Sequence, residues 1–184
     1  MNIKPFAKTA IVWAHESKCA KKQVGAVIFN KVTKHLVSIG YNGTIAGACH
    51  CTDYFRIIGQ KYLIHKNLSN VPGMDFKEYV GKYDDPDWLE VTETEWNSQH
   101  HKFAEMYEVH AEQNAVYNML KLGTDLKDIS NLVLVSTLEP CSQCLKLIAS
   151  IGIKEVYYLD EYHGNTMDNW FDMKCRQVDI DEDI

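Results

Sequence analysis

The sequence lacks any run of about eighteen consecutive apolar residues, the length that a membrane-spanning helix needs. Its opening stretch, MNIKPFAKTAIVWAHESKCAKK, also lacks the basic segment, apolar core and small-residue cleavage site of a secretory signal. These absences predict a cytoplasmic protein with no membrane partner. In that compartment the six cysteines favour metal ligation or buried thiols over a disulfide framework.

The sequence also has no excess of positive charge. The formal net charge is -6 at pH 7, whereas proteins that bind nucleic acids usually present a basic face to the phosphates. We therefore expect no nucleic-acid polymer as a partner. A bound phosphate would have to contact a small local group of cations.

No linker-like, repetitive or low-complexity tract divides the chain. With 184 residues and 46% hydrophobic content, residues 1–184 are predicted to form a single domain. Residues 53–109 show no clear periodicity but are rich in aromatic residues, whose burial could offset the entropy of ordering the chain. We interpret this region as a packed insertion.

Helical and strand patterns alternate on either side of the insertion. FAKTAIVWAH has helical spacing, and VGAVIFN and HLVSIGYNG are predicted strands that pair antiparallel. A helix from His110 to near Gly123, the strand NLVLVST, a helix from Cys141 to Gly152 and the strand EVYYL follow. CRQVDI could add a last strand. The order predicts an α/β fold, a sheet with helices on its faces.

The segment TLEPCSQCLKLI places two cysteines at the start of a predicted helix. Cys141 and Cys144 are three residues apart and so share one helix face, and the exposed amides of a helix start favour the thiolates that zinc requires. Alone, the pair could equally be buried or redox thiols. His110, at another helix start, would complete a set of three donors that leaves a fourth tetrahedral position open, as in catalytic zinc sites.

Glu112 lies two residues after His110, close to the predicted metal without being one of its donors. It could be an acidic residue that favours a helix N-terminus, or the group that moves protons for a metal-activated water. The combination H-x-E with P-C-x-x-C is the established signature of zinc deaminases that act on nucleobases. It favours Glu112 as the catalytic residue and His110, Cys141 and Cys144 as zinc ligands.

Several blocks together extend this signature to a narrower group of proteins. ESKCAKKQVGAVIF, GYNGTIAG, HAEQNAV, TLEPCSQC and YYLDEYHG make the chain resemble the deoxycytidylate (dCMP) deaminase family, especially its bacteriophage type. The resemblance implies a three-layer α/β/α cytidine-deaminase-like sandwich around a five-stranded mixed sheet. It implies a hydrolase of the C–N bond of a cyclic amidine, which converts dCMP to dUMP and ammonia for dTTP synthesis, in the host cytoplasm if the protein is viral.

Two other functions stay open at this point. The first is a zinc deaminase of the same superfamily that acts on dCTP, a modified cytosine nucleotide, a nucleoside or tRNA. The second is a protein in which zinc only stabilises the fold, so that Glu112 is incidental.

The resemblance also assigns substrate-binding residues. Asn42 would bond the sugar, although Asn42-Gly43 is also a common tight-turn pair. Ala111 would meet the pyrimidine through its backbone, and Ser17 and Lys18 are phosphate candidates, although Lys18 could simply be solvated. Tyr162 and the next residue, His163, match the family but could also cap a strand. The implied substrate-binding residues are Ser17, Lys18, Val24, Ala26, Asn42, Ala111 and Tyr162.

Members of this family are commonly hexamers that dCTP activates together with Mg²⁺ and that dTTP inhibits. The resemblance therefore implies a homo-oligomer and an effector site at Tyr41, Asn42 and Gly43. Ile45 stands where many relatives have proline, which could loosen this loop.

Some phage members carry a second zinc that holds the insertion. By position in the motifs, this implies Cys19, Cys51 and Glu108 as ligands. Glu93 stands where the family has its usual histidine, so the nearby His100 and His101 are candidates for the fourth ligand, and we take His101. The alternative is that these cysteines are small buried hydrophobic residues. A second zinc would explain how the insertion is ordered.

Overall fold

The structure, a computed structural model, describes residues 1–74, 85–162, 169–170 and 172–180. Its helices are α1 (Lys4–Ala14), α2 (Glu93–Tyr107), α3 (Ala111–Lys121) and α4 (Ser142–Ile151). The first strands are β1 (Gly25–Asn30), β2 (Leu36–Tyr41), β3 (Gly43–Thr44), β4 (Phe55–Ile58), β5 (Lys61–His65) and β6 (Trp88–Val91). The remaining strands are β7 (Glu108–Val109), β8 (Leu132–Leu138), β9 (Glu155–Asp160), β10 (Asn169–Trp170) and β11 (Met173–Gln177). No helix among the described residues is long and apolar enough to cross a membrane.

The chain divides into two compact units. The first unit comprises Met1–Ser17, Gln23–Asn42 and His110–Ile184, and the second comprises Lys18–Lys22 and Gly43–Val109. The predicted insertion at residues 53–109 lies within the second unit. That both units belong to one domain stays a prediction.

A mixed sheet forms the centre of the first unit, in the order β10-β11-β9-β8-β1-β2. β1 runs antiparallel to both β2 and β8, while β9 lies between β8 and β11 and runs parallel to both. The five predicted strands are therefore present, and the predicted antiparallel pairing of the first two is confirmed. The two-residue strand β10 extends the sheet at its edge beyond the five.

Alternating side chains divide the sheet into two apolar faces. Ile28 and Leu134 pack with residues of α3 and α4, whereas Phe29 and Val133 belong to a cluster that includes Ala7 of α1. The alternation follows from the two-residue period of a strand, which sends successive side chains to opposite faces. Helices on both faces confirm the predicted α/β/α layers.

Helix α3, which begins directly after His110, is fixed along the edge strand β2 by polar and steric contacts. The Nδ2 groups of Asn114 and Asn118 donate to the carbonyl oxygens of Tyr41 (2.8 Å) and Ile39 (2.9 Å). These bonds satisfy backbone acceptors that an edge strand would otherwise present to solvent or to another chain. Gly40 allows the close approach, since a Cβ there would lie 2.3 Å from both Ala111 O and Ala115 N.

We expect Gly40→Ala to destabilise the first unit and to displace the start of α3. The atoms that the added methyl would meet belong to the helix backbone and cannot rotate away, so the cost should reach at least the roughly 1–3 kcal/mol typical of overpacking. Urea unfolding measures this loss. Gly43→Ala is the stability control, since a Cβ at Gly43 meets nothing within 4 Å, and equal losses in both variants would contradict the packing argument.

The second unit is more regular than its sequence suggested. β4, β5 and β6 form an antiparallel sheet, and β3 pairs with β7. Helix α2 starts at a cap in which Thr92 Oγ1 accepts the Glu95 N–H at 3.2 Å. Its buried residues, Trp96, His100 and Phe103, recur at helical spacing, and the aromatic core includes Phe55.

His163, which matches the family in sequence, lies outside the described residues. Its predicted role stays a prediction.

Candidate active site and metal centres

Three predicted zinc donors come together at the starts of two helices in the first unit. His110 is the N-cap of α3, where its N–H donates to Gln113 Oε1 at 3.0 Å, and Cys141 is the N-cap of α4. Helix α4 therefore starts one residue later than predicted, and Cys144 lies in its first turn, since Ser142 is its first residue. His110 is exposed, Cys141 half-buried and Cys144 buried, so the donor set borders solvent.

The distances between these donors fit a zinc ion. His110 Nδ1 lies 3.5 Å from Cys141 Sγ and 3.4 Å from Cys144 Sγ. A tetrahedral zinc with Zn–S and Zn–N bonds of about 2.3 and 2.0 Å separates a sulfur from a nitrogen by about 3.5 Å. One nitrogen and two sulfurs are also the chemistry that zinc prefers, so the residues present fit the metal.

The two thiols of this site differ in pKa. Contact with the Cys144 thiol, with a further contribution from His110, lowers the pKa of Cys141 to about 3. The same contact, together with burial, raises the pKa of Cys144. A lowered pKa favours the thiolate, the form in which a cysteine binds a cation.

Glu112 is buried beside the donor set, with only 4% of its surface exposed. Its Oε1 accepts the hydroxyl of Ser136 at 2.9 Å, and its Oε2 accepts the thiol of Cys144 at 3.5 Å. Burial raises the pKa of Glu112, and a hydrogen bond from its own backbone N–H, the neighbouring His110 and the Ser136 hydroxyl oppose that rise. A raised pKa brings a carboxyl closer to neutral pH, where it can both accept and return a proton.

Most of the predicted substrate residues lie in the first unit. Asn42 is buried, and its Oδ1 accepts the Val24 N–H at 2.7 Å. Asn42-Gly43 does not form a tight hairpin turn, because β3 pairs with β7 rather than with β2. Ala26 in β1 and Ala111 in the first turn of α3 are fully buried.

The remaining predicted substrate and effector residues differ in exposure. Ser17 is buried, and its carbonyl accepts Gln23 Nε2 at 2.9 Å, while Lys18 is exposed in the second unit. Tyr162 is exposed, and its N–H donates to Glu139 Oε2 at 3.1 Å. Tyr41 is partly exposed and stacks against Trp13.

A second group of potential metal ligands occurs in the second unit, where Cys19, Cys51, His100 and Glu108 place their donor atoms within 4.8 Å of one another. Cys19 Sγ lies 3.5 Å from His100 Nε2, the same separation that a tetrahedral zinc requires. Glu108 Oε1 is buried without a hydrogen-bond partner among the described residues. A buried carboxylate oxygen without a partner costs free energy, and a cation would satisfy it.

The structure brings His100, and not the predicted His101, into this group. His100 lies on the buried face of α2 and stacks on Trp96 with ring centroids 4.9 Å apart, whereas His101 is exposed. Consecutive helical residues are about 100° apart around the axis, so only one of two adjacent histidines can face inward. The four-residue spacing from Trp96 to His100 was the signal that could have identified it.

The pKa shifts in the second group resemble those in the first. A hydrogen bond from the Cys51 thiol lowers the pKa of Cys19 to about 3, with help from His100, and raises the pKa of Cys51 in turn. Burial, reinforced by the neighbouring Cys19, raises the pKa of Glu108 to about 7. The group thus combines two sulfurs, an imidazole and a carboxyl, a complete set for a closed tetrahedral site.

Ser136 is a site residue that the sequence reasoning missed. It is fully buried in β8, and its contact with Glu112 joins positions 24 residues apart. The available signal was a serine within the apolar strand NLVLVST, since a buried hydroxyl needs a hydrogen-bond partner.

The chain is similar in sequence to known deaminases. The family model for the cytidine and deoxycytidylate deaminase zinc-binding region matches residues 1–160. The deoxycytidylate deaminase of Enterobacteria phage T2 is 32% identical over 165 residues, which cover 90% of this chain and 83% of that protein. The human deoxycytidylate deaminase is 33% identical over 161 residues, covering 87% of this chain and 66% of the human protein.

Solved structures support the same fold. The apo dCMP deaminase of the cyanophage S-TIM5 superposes with a TM-score of 0.55 at 23% identity, covering 97% of this chain and all of that one. Its complex with dCMP and dUMP gives a TM-score of 0.54 at 22% identity, with 95% of each chain covered. These matches place the chain among the zinc-binding deaminases. Within that class, the chain belongs to the cytidine and deoxycytidylate deaminase family.

Proposed function

We propose that the protein catalyses the hydrolytic deamination of dCMP, in which dCMP and water give dUMP and ammonia. The observation that carries the proposal is the buried Glu112, whose Oε2 faces Cys144 in the donor set of His110, Cys141 and Cys144. A structural zinc site needs no such carboxyl beside it, whereas a hydrolytic site does. The names of the T2 and human relatives support dCMP as the substrate.

In the proposed mechanism, His110, Cys141 and Cys144 would hold a zinc ion, which when bound would supply a water activated for attack on C4 of the pyrimidine. Glu112 would take the first proton of the attacking water on Oε2, the oxygen that faces the donor set, and give it to the ring nitrogen. The same carboxyl would then carry the second proton from the new C4 hydroxyl to the amine, which leaves as ammonia when the C4–N bond breaks. Because Glu112 is buried, these transfers avoid competition from bulk water.

The predicted substrate residues have roles that fit their positions. The backbone N–H of Ala111 belongs to the first turn of α3, whose amides have no partner within the helix, and it would donate to the pyrimidine. Asn42, whose Oδ1 accepts the Val24 N–H, would bond the sugar. Ser17 and Lys18 would meet the phosphate, and Val24, Ala26 and Tyr162 would line the nucleotide.

The second group would hold a structural zinc through Cys19, Cys51, His100 and Glu108. Its support is the donor chemistry, the 3.5 Å separation of Cys19 Sγ from His100 Nε2 and the buried oxygen of Glu108. Such a closed site would link the segment around Cys19 to α2 and β7 within the second unit.

Regulation and assembly extend the proposal. dCTP with Mg²⁺ would activate the enzyme and dTTP would inhibit it through Tyr41, Asn42 and Gly43, in a cytoplasmic hexamer that supplies dUMP for dTTP synthesis. The partial exposure of Tyr41 at the end of β2 would give an effector access to this segment.

The test is an ammonia-release assay of the full chain with one zinc or more per chain. We expect turnover of dCMP that exceeds turnover of dCTP, cytidine and a tRNA, stimulation by dCTP with Mg²⁺ and inhibition by dTTP. Light scattering of the same sample would report a hexamer. Faster turnover of another cytosine substrate would reassign the substrate, and no ammonia from any of them would leave zinc with a structural role alone.

A further inference from the structure

Ser136 is a fully buried hydroxyl in the apolar strand β8. Its strand neighbours Leu134 and Val135 are also fully buried, so the hydroxyl is surrounded by a sheet core rather than by water. Removing a hydroxyl from water costs free energy unless its hydrogen bonds are replaced. The partners of Ser136 therefore define what the serine contributes.

The hydrogen bonds of Ser136 have a definite direction. The Leu138 N–H donates to Ser136 Oγ at 3.4 Å, and the hydroxyl donates to Glu112 Oε1 at 2.9 Å. The backbone amide can only donate, so the single hydroxyl proton is directed to the carboxyl.

This bond fixes the orientation of the Glu112 carboxyl, which could otherwise rotate. The last torsion of a glutamate joins sp³ and sp² carbons and has broad, roughly two-fold preferences, so a carboxyl rotates easily about it. With Oε1 bonded to Ser136, Oε2 is directed to Cys144 and the metal donors. The rigid sheet thereby orients a group that is carried by the neighbouring helix α3.

We propose that Ser136 is a positioning residue that holds the Glu112 carboxyl in the orientation required for proton transfer, an assignment that rests on the proposed deamination. Ser136 does not touch the reacting atoms, so its loss should slow turnover without weakening substrate binding. A residue that only stabilised the fold would leave the turnover of the folded protein unchanged.

The experiment compares three variants of the zinc-loaded full chain. Ser136→Ala removes the hydroxyl, and Ser136→Thr retains it on a side chain that suits a strand. Ser38→Ala is the matched control, because Ser38 is also buried in the sheet and its hydroxyl donates to the Ala115 carbonyl at 2.7 Å, without a contact to Glu112. Each variant is assayed for kcat and KM with dCMP, zinc per chain and urea unfolding.

For Ser136→Ala, we expect kcat to fall roughly 10- to 100-fold, the effect typical of losing an outer hydrogen bond, while KM and zinc content stay close to the original values. Ser136→Thr should recover most of the loss, and Ser38→Ala should lose stability but keep its kcat. A kcat within about twofold of the original in Ser136→Ala, or an equal fall in Ser38→Ala, would overturn the proposal. If the threonine variant is insoluble, the comparison of the two alanine variants decides.

A crystal structure of zinc-loaded Ser136→Ala provides a measure that does not depend on activity. We expect the Glu112 carboxyl to rotate or to occupy more than one orientation, and an unchanged, singly oriented carboxyl would refute the positioning role. This measure also separates the two proposals. If the unaltered protein releases no ammonia, the proposed function fails, while the orientation of Glu112 still decides the role of Ser136.

Discussion

Glu112→Gln is expected to retain zinc at its original stoichiometry and to lose nearly all deaminase activity. Glutamine has almost the same shape and can still accept the Ser136 hydroxyl, so the donor set of His110, Cys141 and Cys144 should stay intact. An amide cannot take a proton from water at neutral pH, so kcat should fall by at least roughly 10²–10⁴-fold, the range of general acid–base catalysis. That fall corresponds to about 2.7–5.4 kcal/mol in the activation free energy.

The measurements for this variant are steady-state ammonia release and zinc per chain. Glu155→Gln is a suitable control, because Glu155 is a partly buried carboxyl of the same unit that pairs with Lys31 at 2.6 Å rather than with the donor set. Its activity should match that of the original protein. Turnover by Glu112→Gln at the original rate would refute the catalytic role, and loss of zinc would show that Glu112 acts through the metal site instead.

The donor set of His110, Cys141 and Cys144 was predictable from sequence because its geometry is local. Cys141 and Cys144 share a helix turn, and His110 and Glu112 lie at the start of another, so short spacings determine which side chains face together. Only the meeting of the two helix starts required the fold, and the alternation of strands and helices predicted it. Four of the five main strands were predictable for a similar reason, since each is a short, mostly apolar run, whereas β11 alternates buried Met173 and Cys175 with charged residues.

The features that the sequence does not reveal depend on how helices and strands pack against residues far away in the chain. Ser136 meets Glu112 only because α3 packs against the sheet at a fixed position, and no local pattern in NLVLVST reveals that contact. The sequence alone does not distinguish His100 from His101, because the insertion shows no clear periodicity and, without a recognisable helix α2, nothing indicates which of two adjacent residues faces inward. The two residues of β10 are too few for a periodic signal.

Cys51→Ser is expected to lower the zinc content from two per chain to one and to destabilise the protein. A serine hydroxyl is a poor zinc ligand, and the remaining Cys19, His100 and Glu108 would then be buried donors without their metal. Because metal binding contributes directly to folding, we expect the free energy of unfolding to fall by about 3 kcal/mol or more. In a chain of this size, a loss of about 3 kcal/mol lowers Tm by roughly 6–12 °C. Zinc analysis and thermal unfolding measure the two effects.

Cys175→Ser separates the loss of a metal ligand from the loss of a buried thiol. Cys175 is fully buried in β11 and belongs to neither donor group among the described residues, so its replacement should retain both zinc ions even if it lowers Tm. The zinc held by His110, Cys141 and Cys144 should remain in the Cys51 variant, because that donor set lies in the other unit. Two zinc ions in Cys51→Ser, or one in the unaltered protein, would show that Cys19 and Cys51 are buried thiols that pack without a metal.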